Sequence, residues 1–370
     1  MTNRYSGPTP TPHELALLTQ PQQAPITNKE EHIIQILRTP DDSTEPFCML
    51  PASEWLQTNS PYVTEACLFG PFWHRGEVCI LFADTNVGKS ILAVQIADAL
   101  SKAKPIAGFD TSPRPETVLY FDFELTAPQF TQRYTSADHG PYNFAPGFAR
   151  LVFNPLADGE DEFDTYTDYL NHAIEDVIEA TGARFIIIDN ITCLHSSTQS
   201  NVTAVNLMKK LQQIKRLYGL SILVLAHTPK RNPSLPITHN CLQGSKMLIN
   251  FADSAFAIGH SQSQNDVRYL KQIKQRNGSQ LYGANRVCLC RIVKPYNFLH
   301  VEFLGHGAET DHLLPYTEHK RKATEDRVAQ LHANGLSLRA IAAQTGISSA
   351  TVFRLLKRLN AAGGINKQQD

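Results

Sequence analysis

Tryptophan occurs only twice and methionine four times in this 370-residue chain, and the two charge signs almost cancel: 34 Lys plus Arg against 35 Asp plus Glu, a net of −1. No global field therefore draws the whole chain to a polyanion or a lipid surface, and such a partner must be met by a local patch. No apolar run approaches the ~20 residues of a membrane-spanning helix, and the Thr/Pro-rich start lacks the basic and apolar regions of a secretion signal. No Cys-x-x-Cys occurs. The seven cysteines (67, 79, 193, 241, 288, 290 and 48) are scattered and odd in number, which disfavours a disulfide framework or zinc cage and suits buried thiols in a reducing compartment. A soluble cytoplasmic protein with no membrane partner is expected. With 42% apolar residues, the chain can bury a sizeable core.

The charge that is present is uneven. Residues 1–60 hold three basic and seven acidic groups, whereas residues 316–370 hold nine basic and four acidic. The C-terminus is thus the segment best suited to a polyanion. Three regions are expected: a Pro/Gln/Thr-rich leader and packing segment over 1–60, with an apolar cluster at Trp55; a main domain over 61–315; and a small helical domain over 316–370.

From residue 76 strands and helices alternate. Val78–Phe82 is a continuous apolar run, as in a strand buried on both faces, followed by a helical pattern over 90–102. VLYFDF (118–123), a helix near 165–180, FIIID (185–189), a helix near 203–217 and SILVLAH (221–227) continue the alternation, which predicts a mostly parallel α/β sheet with crossover helices. After residue 265 the pattern becomes antiparallel, with Asn277-Gly278 suited to a tight hairpin turn. Cys288 and Cys290 should share one face of a strand.

Between the first strand and its helix stands Ala83-Asp84-Thr85-Asn86-Val87-Gly88-Lys89-Ser90, with Ile91 next. This is the phosphate-binding pattern GxxxxGK[ST] with alanine at the first glycine, acceptable if Ala83 keeps a negative φ. Such a loop aims backbone N–H groups at phosphate, its lysine reaches the β/γ-phosphates, and its hydroxyl binds Mg²⁺. A second Mg²⁺-holding acid is needed at the end of a strand beside the loop strand, and Asp189 fits. Water activation requires another carboxylate. Glu124 and Asp122, two residues apart, compete for that role; the run of Glu-Leu-Thr and then Arg133 favours Glu124.

The combination of loop, strand-ending Glu124, strand-ending Asp189 and strand-ending His227 resembles the RecA-like P-loop ATPases, and more narrowly the RepA-type and DnaB-type hexameric helicases. VLYFDFELTAPQFTQR is similar to their strand–Glu–helix–Arg segment, GSKMLINFADSAFAI (244–258) to the segment before their last core strands, and Lys274-Gln275-Arg276-Asn277-Gly278 to their KxRNG. The resemblance spans about residues 65–305. It implies ATP and Mg²⁺ as ligands, with the loop residues Ala83 to Ile91 on nucleotide, and Ser90 and Asp189 on the metal. It also implies Glu124 as base, His227 as γ-phosphate sensor, and Lys274 with Arg276 reaching a neighbour's site in a homo-oligomer, expected as a hexamer. Loops 195–203 and 229–242 are where such folds meet single-stranded DNA.

From residue 318 the pattern is purely helical, with glycines at 335 and 346 and serines at 337 and 348 in capping positions. IAAQTGISSATVFRLLKRL resembles the helix-turn-helix of resolvase-type DNA-binding domains. That implies Ser348, Ser349, Thr351 and Arg354 facing duplex DNA, and Lys357 and Arg358 near phosphates. The resemblances together imply an ATP-driven DNA motor, a replicative-type helicase of a plasmid, phage or mobile element. The alternative is a DNA-binding regulator or initiation factor whose ATP cycle switches assembly without unwinding.

Overall fold

The computed structural model describes residues 52–53, 67–154, 156–157, 160–191, 201–229, 231–242, 246–314 and 318–363. The Trp55 cluster, nearly all of the leader and most of loop 195–203 lie outside the described residues. By its contacts the chain divides into Met1–Thr64 and Glu65–Asp370, and everything below belongs to the second unit.

A short antiparallel pair, β1 (Cys67–Phe69) and β2 (Trp73–His74), precedes β3 (Val78–Ala83), whose six residues are all buried. Helix α1 (Lys89–Lys102) follows directly. Then come β4 (Val118–Asp122), α2 (Ala127–Arg133), a minimal hairpin of β5 (Thr135–Ser136) and β6 (Gly140–Pro141), and β7 (Phe148–Val152). The series continues with α3 (Tyr166–Thr181), β8 (Phe185–Asp189), α4 (Asn201–Tyr218), β9 (Ser221–His227), α5 (Lys246–Phe251) and β10 (Ser254–His260). The sheet closes with β11 (Arg268–Lys274), β12 (Val287–Val293) and β13 (His300–Gly307).

Nine strands form one sheet in the order β13-β12-β11-β10-β3-β9-β8-β4-β7. The six from β10 to β7 run parallel, and β11, β12 and β13 are antiparallel additions. Alternate residues of β3 serve opposite layers, as the two-residue strand period requires. Cys79 and Leu81 face α1 together with Phe69, Phe72 and Trp73, while Val78, Ile80 and Phe82 face α3, α4 and α5. Cys288 and Cys290 do share a face, both within the α1-side core.

Two sequence expectations need correction, and one strand is added. The strand ending in Asp189 is not beside the loop strand, because β9 lies between β3 and β8. Asn277-Gly278 forms no two-residue hairpin: β11 and β12 are separated by residues 275–286. The Gln272 side chain holds that excursion, its Oε1 accepting from the backbone N–H groups of Leu281 and Tyr282 at 2.8 and 2.7 Å. Strand β7, in a stretch that carries no clear period, adds the far edge of the sheet.

The C-terminal unit has its own core. Helices α6 (Glu318–Ala333), α7 (Leu338–Thr345) and α8 (Ser349–Gly363) bury Val328, Leu331, Ile341, Val352 and Leu356. Ser337 caps α7 by accepting from the Ala340 N–H at 3.3 Å, and Gly346 ends it at φ 71°, where a side chain would be strained. The mixed α/β sheet and the separate helical unit are the expected fold class. Among the described residues no helix is long and apolar enough to cross a membrane.

Candidate functional site

All six parallel strands point their C-terminal ends the same way, so Ala83, Asp122, Asp189 and His227 come out at one edge of the sheet. Adjacent parallel strands ending together leave a crevice there, the usual ligand position of open α/β sheets. A cleft of about 420 Å³ opens at that edge, lined by Thr85, Asn86, Gly88, Lys89, Ser90, Ile91, Glu124, Leu125, Gln129, Arg133 and His227.

The loop is shaped by its backbone. Asn86 and Gly88 have positive φ (63° and 114°), and Ala83 does not. Its methyl is therefore no obstacle where the pattern has glycine. At Gly88 a Cβ would stand 2.7 Å from Cδ1 of Ile292, so both conformation and packing demand glycine. The first turn of α1 has neither a side-chain cap nor an acid, which leaves its N–H groups to an anion. Arg268 Nε donates to the Val87 carbonyl at 2.9 Å and fixes the loop from β11. Ala83, Asp84 and Val87 do not line the cleft. The Asp84 carboxylate turns away to Thr228 and to Arg231 Nε, the latter at 3.1 Å.

Lys89 Nζ is held by the carbonyls of Ala83 (3.3 Å) and Asp84 (3.4 Å) and lies 3.1 Å from His227 Nδ1. An ammonium can only donate, so Nδ1 must accept, and the ring proton sits on Nε2. From there it is donated to Glu124 Oε1 at 2.7 Å. Asn190 Nδ2 donates to the same oxygen at 2.9 Å. The His227 hydrogen bond holds the Glu124 carboxyl below its usual range against its partial burial, with help from Asn190 and Lys89. Burial lowers the Lys89 ammonium, opposed by Glu124, Asp189 and Asp84.

Glu124 lines the cleft and Asp122 does not. Asp122 is almost fully buried, its Oδ1 accepts from the backbone N–H groups of Glu124 (3.1 Å) and Leu125 (2.9 Å), and Arg150 Nε meets its Oδ2 at 2.7 Å. The strand ends at Asp122, and these bonds turn the chain so that Glu124 reaches the cleft.

Asp189 is wholly buried and, like Ala83, Asp84 and Val87, is not among the residues that line the cleft. Tyr120 donates to its Oδ2 at 2.6 Å, while Oδ1 has no hydrogen-bond partner among the described residues. Burial pushes the carboxyl up to about 6, with the Ser90 and Tyr120 hydroxyls pulling the other way. An orphaned carboxylate oxygen beside the loop hydroxyl is an oxygen donor set of the kind that suits Mg²⁺. Ser90 and Asp189 therefore fit the metal.

Tyr120, Asn190 and Arg133 were not assigned roles from the sequence. Arg133 ends α2 facing the cleft, with Nη1 buried and unpartnered among the described residues. Two of them carried a positional signal: Arg133 as the last residue of the strand–Glu–helix–Arg segment, and Asn190 directly after the strand-ending Asp189.

Lys274 and Arg276 are not brought to this cleft. Lys274 pairs with Ala255 near the start of β10, at the opposite edge of the sheet. Its Nζ binds the carbonyls of Ile249 (2.7 Å) and Asn250 (3.0 Å), near the C-terminal end of α5. Arg276 binds Asp253 at 3.0 Å and the Asn250 carbonyl at 3.1 Å.

In the helical unit Arg354 and Lys357 are exposed on α8. Ser348 and Thr351 are engaged in capping: their hydroxyls are 2.8 Å apart, and Ser348 accepts from the Thr351 N–H at 3.2 Å. Ser349 is half-buried. Arg358 is paired with Glu325 of α6 rather than presented alone.

Loop, strand order and cleft define an α/β core of the P-loop kind, followed by a helix-turn-helix unit. The sequence profile of the AAA domain matches residues 44–233, just over half of the chain, and the chain belongs to that family. The profile of a homeodomain-like domain matches residues 319–367. Among solved structures, the chain is similar to a KaiC-like protein from the hyperthermophilic archaeon Pyrococcus horikoshii OT3. The identity is 15% and the TM-score 0.41, over 62% of this chain and 91% of that one. No curated protein matches.

Proposed function

We propose that this chain hydrolyses ATP to drive work on DNA, with residues 61–315 as the motor and 316–370 as a duplex-binding arm. The observation that carries the reading is the Lys89–His227–Glu124 chain of hydrogen bonds at the mouth of the phosphate loop. In this proposal the loop N–H groups and Lys89 bind the triphosphate, and Ser90 and Asp189 hold Mg²⁺, which supplies charge neutralisation on the β/γ-phosphates. Glu124 orients and deprotonates water. His227 touches both the lysine that grips phosphate and the carboxylate that activates water, so it is placed to report whether a γ-phosphate is present.

Lys274 and Arg276 lie too far round the sheet to serve their own cleft. Their position suits a neighbouring copy in a ring, expected as a hexamer, with single-stranded DNA met by loops 195–203 and 229–242. The experiment is strand displacement on forked DNA by wild type and Glu124→Gln. ATP-dependent unwinding by the first alone supports the motor. ATP-gated duplex binding without unwinding supports instead an assembly switch, which the helix-turn-helix favours because a general motor has little need of a duplex-reading arm.

A further inference from the structure

Helix α8 has a buried face and a free one. Val352 and Leu356 are buried in the three-helix core and Leu355 packs against it. The opposite side exposes Ala350, Phe353, Arg354 and Lys357, spaced i, i+3, i+4, i+7 and so aligned in one stripe. Phe353 is 57% exposed. A single apolar residue at a surface needs no explanation. This one lies in a stripe with two cations, on a segment from Ser348 to Gly363 that contains no Asp or Glu. That charge pattern complements a polyanion and repels no part of it.

Arg354 sharpens the picture. Its Nε donates to the Ala350 carbonyl at 3.3 Å, which folds the guanidinium back toward the N-terminal end of α8. In a helix-turn-helix that end enters the major groove. The two Arg354 Nη groups make no hydrogen bond among the described residues, which leaves them available to an outside acceptor.

We propose that Phe353 reads a thymine in duplex DNA by apolar contact with its 5-methyl group, next to a guanine read by Arg354. The proposal rests on the duplex-binding reading of residues 316–370. The major groove offers one apolar feature, the thymine methyl, and a guanine presents the O6/N7 acceptor pair that suits a guanidinium fork. Ala350, one turn earlier, leaves room for the ring to approach the groove floor. Lys357, one turn later, is placed for a phosphate.

The test uses the full chain. Sites are selected from random-sequence duplexes, and affinities are then measured by fluorescence anisotropy for wild type, Phe353→Ala and Phe353→Leu. Deoxyuridine, which lacks only the methyl, is then substituted at each selected thymine. Wild type should select thymine beside guanine and lose about fourfold in affinity at one deoxyuridine, the fold-change of about 0.8 kcal/mol for one buried carbon. Phe353→Ala should bind the parent duplex about fourfold more weakly and be indifferent to deoxyuridine. Phe353→Leu should recover part of the response.

Equal deoxyuridine sensitivity in wild type and Phe353→Ala overturns the inference, as does a Phe353→Ala chain that binds as its parent. In either case duplex binding that falls with Arg354→Ala leaves the arm's DNA-binding reading standing. If no duplex is retained by wild type at all, both readings fail.

Discussion

His227 Nε2 stands 2.7 Å from Oε1 of Glu124 while its other ring nitrogen stands 3.1 Å from Lys89 Nζ. The imidazole thus joins the lysine of the phosphate loop to the carboxylate across the cleft. His227→Gln should keep this link, since an amide can accept from Lys89 and donate to Glu124 at once. His227→Ala cannot. Phosphate release should therefore stay within about tenfold of wild type for Gln and fall about a hundredfold or more for Ala, the scale of a lost positioned proton-transfer partner. Equal loss in both would show that bridging is not what His227 does.

Glu124→Gln removes the carboxylate charge proposed to activate water and leaves the loop intact. Turnover should drop by about 10²–10⁴, with affinity for a fluorescent ATP analogue within a few-fold of the parent. Weakened nucleotide binding of similar size would instead place Glu124 in the binding machinery.

Asp189, at about 6, titrates above an ordinary carboxylate because burial disfavours its charge. The folded chain then holds a proton that the unfolded chain has released, so this group's contribution to stability falls as pH rises from about 4 to about 6. Asp189→Asn should raise the melting temperature of the nucleotide-free protein at pH 7.5 and leave it unchanged near pH 4. Mg²⁺-dependent ATP binding should vanish in the variant, and in wild type should weaken as pH falls through 6. A lower melting temperature for the variant at pH 7.5 would refute the burial argument.

Lys271 and Glu309 form a buried ion pair, and both backbone groups of Ile237 bind to it: Ile237 N–H to Glu309 at 2.8 Å and its carbonyl to Lys271 at 2.7 Å. The pair pins the segment after β9 to the antiparallel strands. Lys271→Met alone should cost about 3–5 kcal/mol in urea unfolding, because it strands a buried carboxylate. The double variant Lys271→Met with Glu309→Leu should recover much of that loss. A double variant no better than the single would show that the Ile237 contacts, not the charges, matter.

Because α6, α7 and α8 have a core of their own, a chain ending at residue 314 should keep its basal ATPase rate and its melting transition while losing duplex affinity in a filter-binding titration. Retained duplex affinity would move the DNA-binding surface elsewhere.

Much of this was readable from residue order. Local rules govern the loop from Ala83 to Ser90: a buried strand, a glycine at the helix entry and an uncapped helix start are all properties of neighbours in the chain. The caps at Ser337 and Ser348 and the turn at Gly346 are local in the same sense. Asn277-Gly278 misled because turn preference is a weak force beside the Gln272 side chain, which holds residues nine and ten positions later.

Composition and spacing by themselves determined that a loop of the phosphate-binding pattern joins a buried strand to a helix, that further strands end in Asp122 and Asp189, and that a helical unit follows. Only the tertiary structure tied Asp122 to Arg150 while bringing Glu124 to the cleft, inserted β9 between the loop strand and Asp189, and left Phe353 outside the helical core. Each of those outcomes depends on which distant backbone N–H, guanidinium or apolar side chain arrives at a given atom. Such arrivals are set by the packing of the whole sheet, and no local periodicity encodes them.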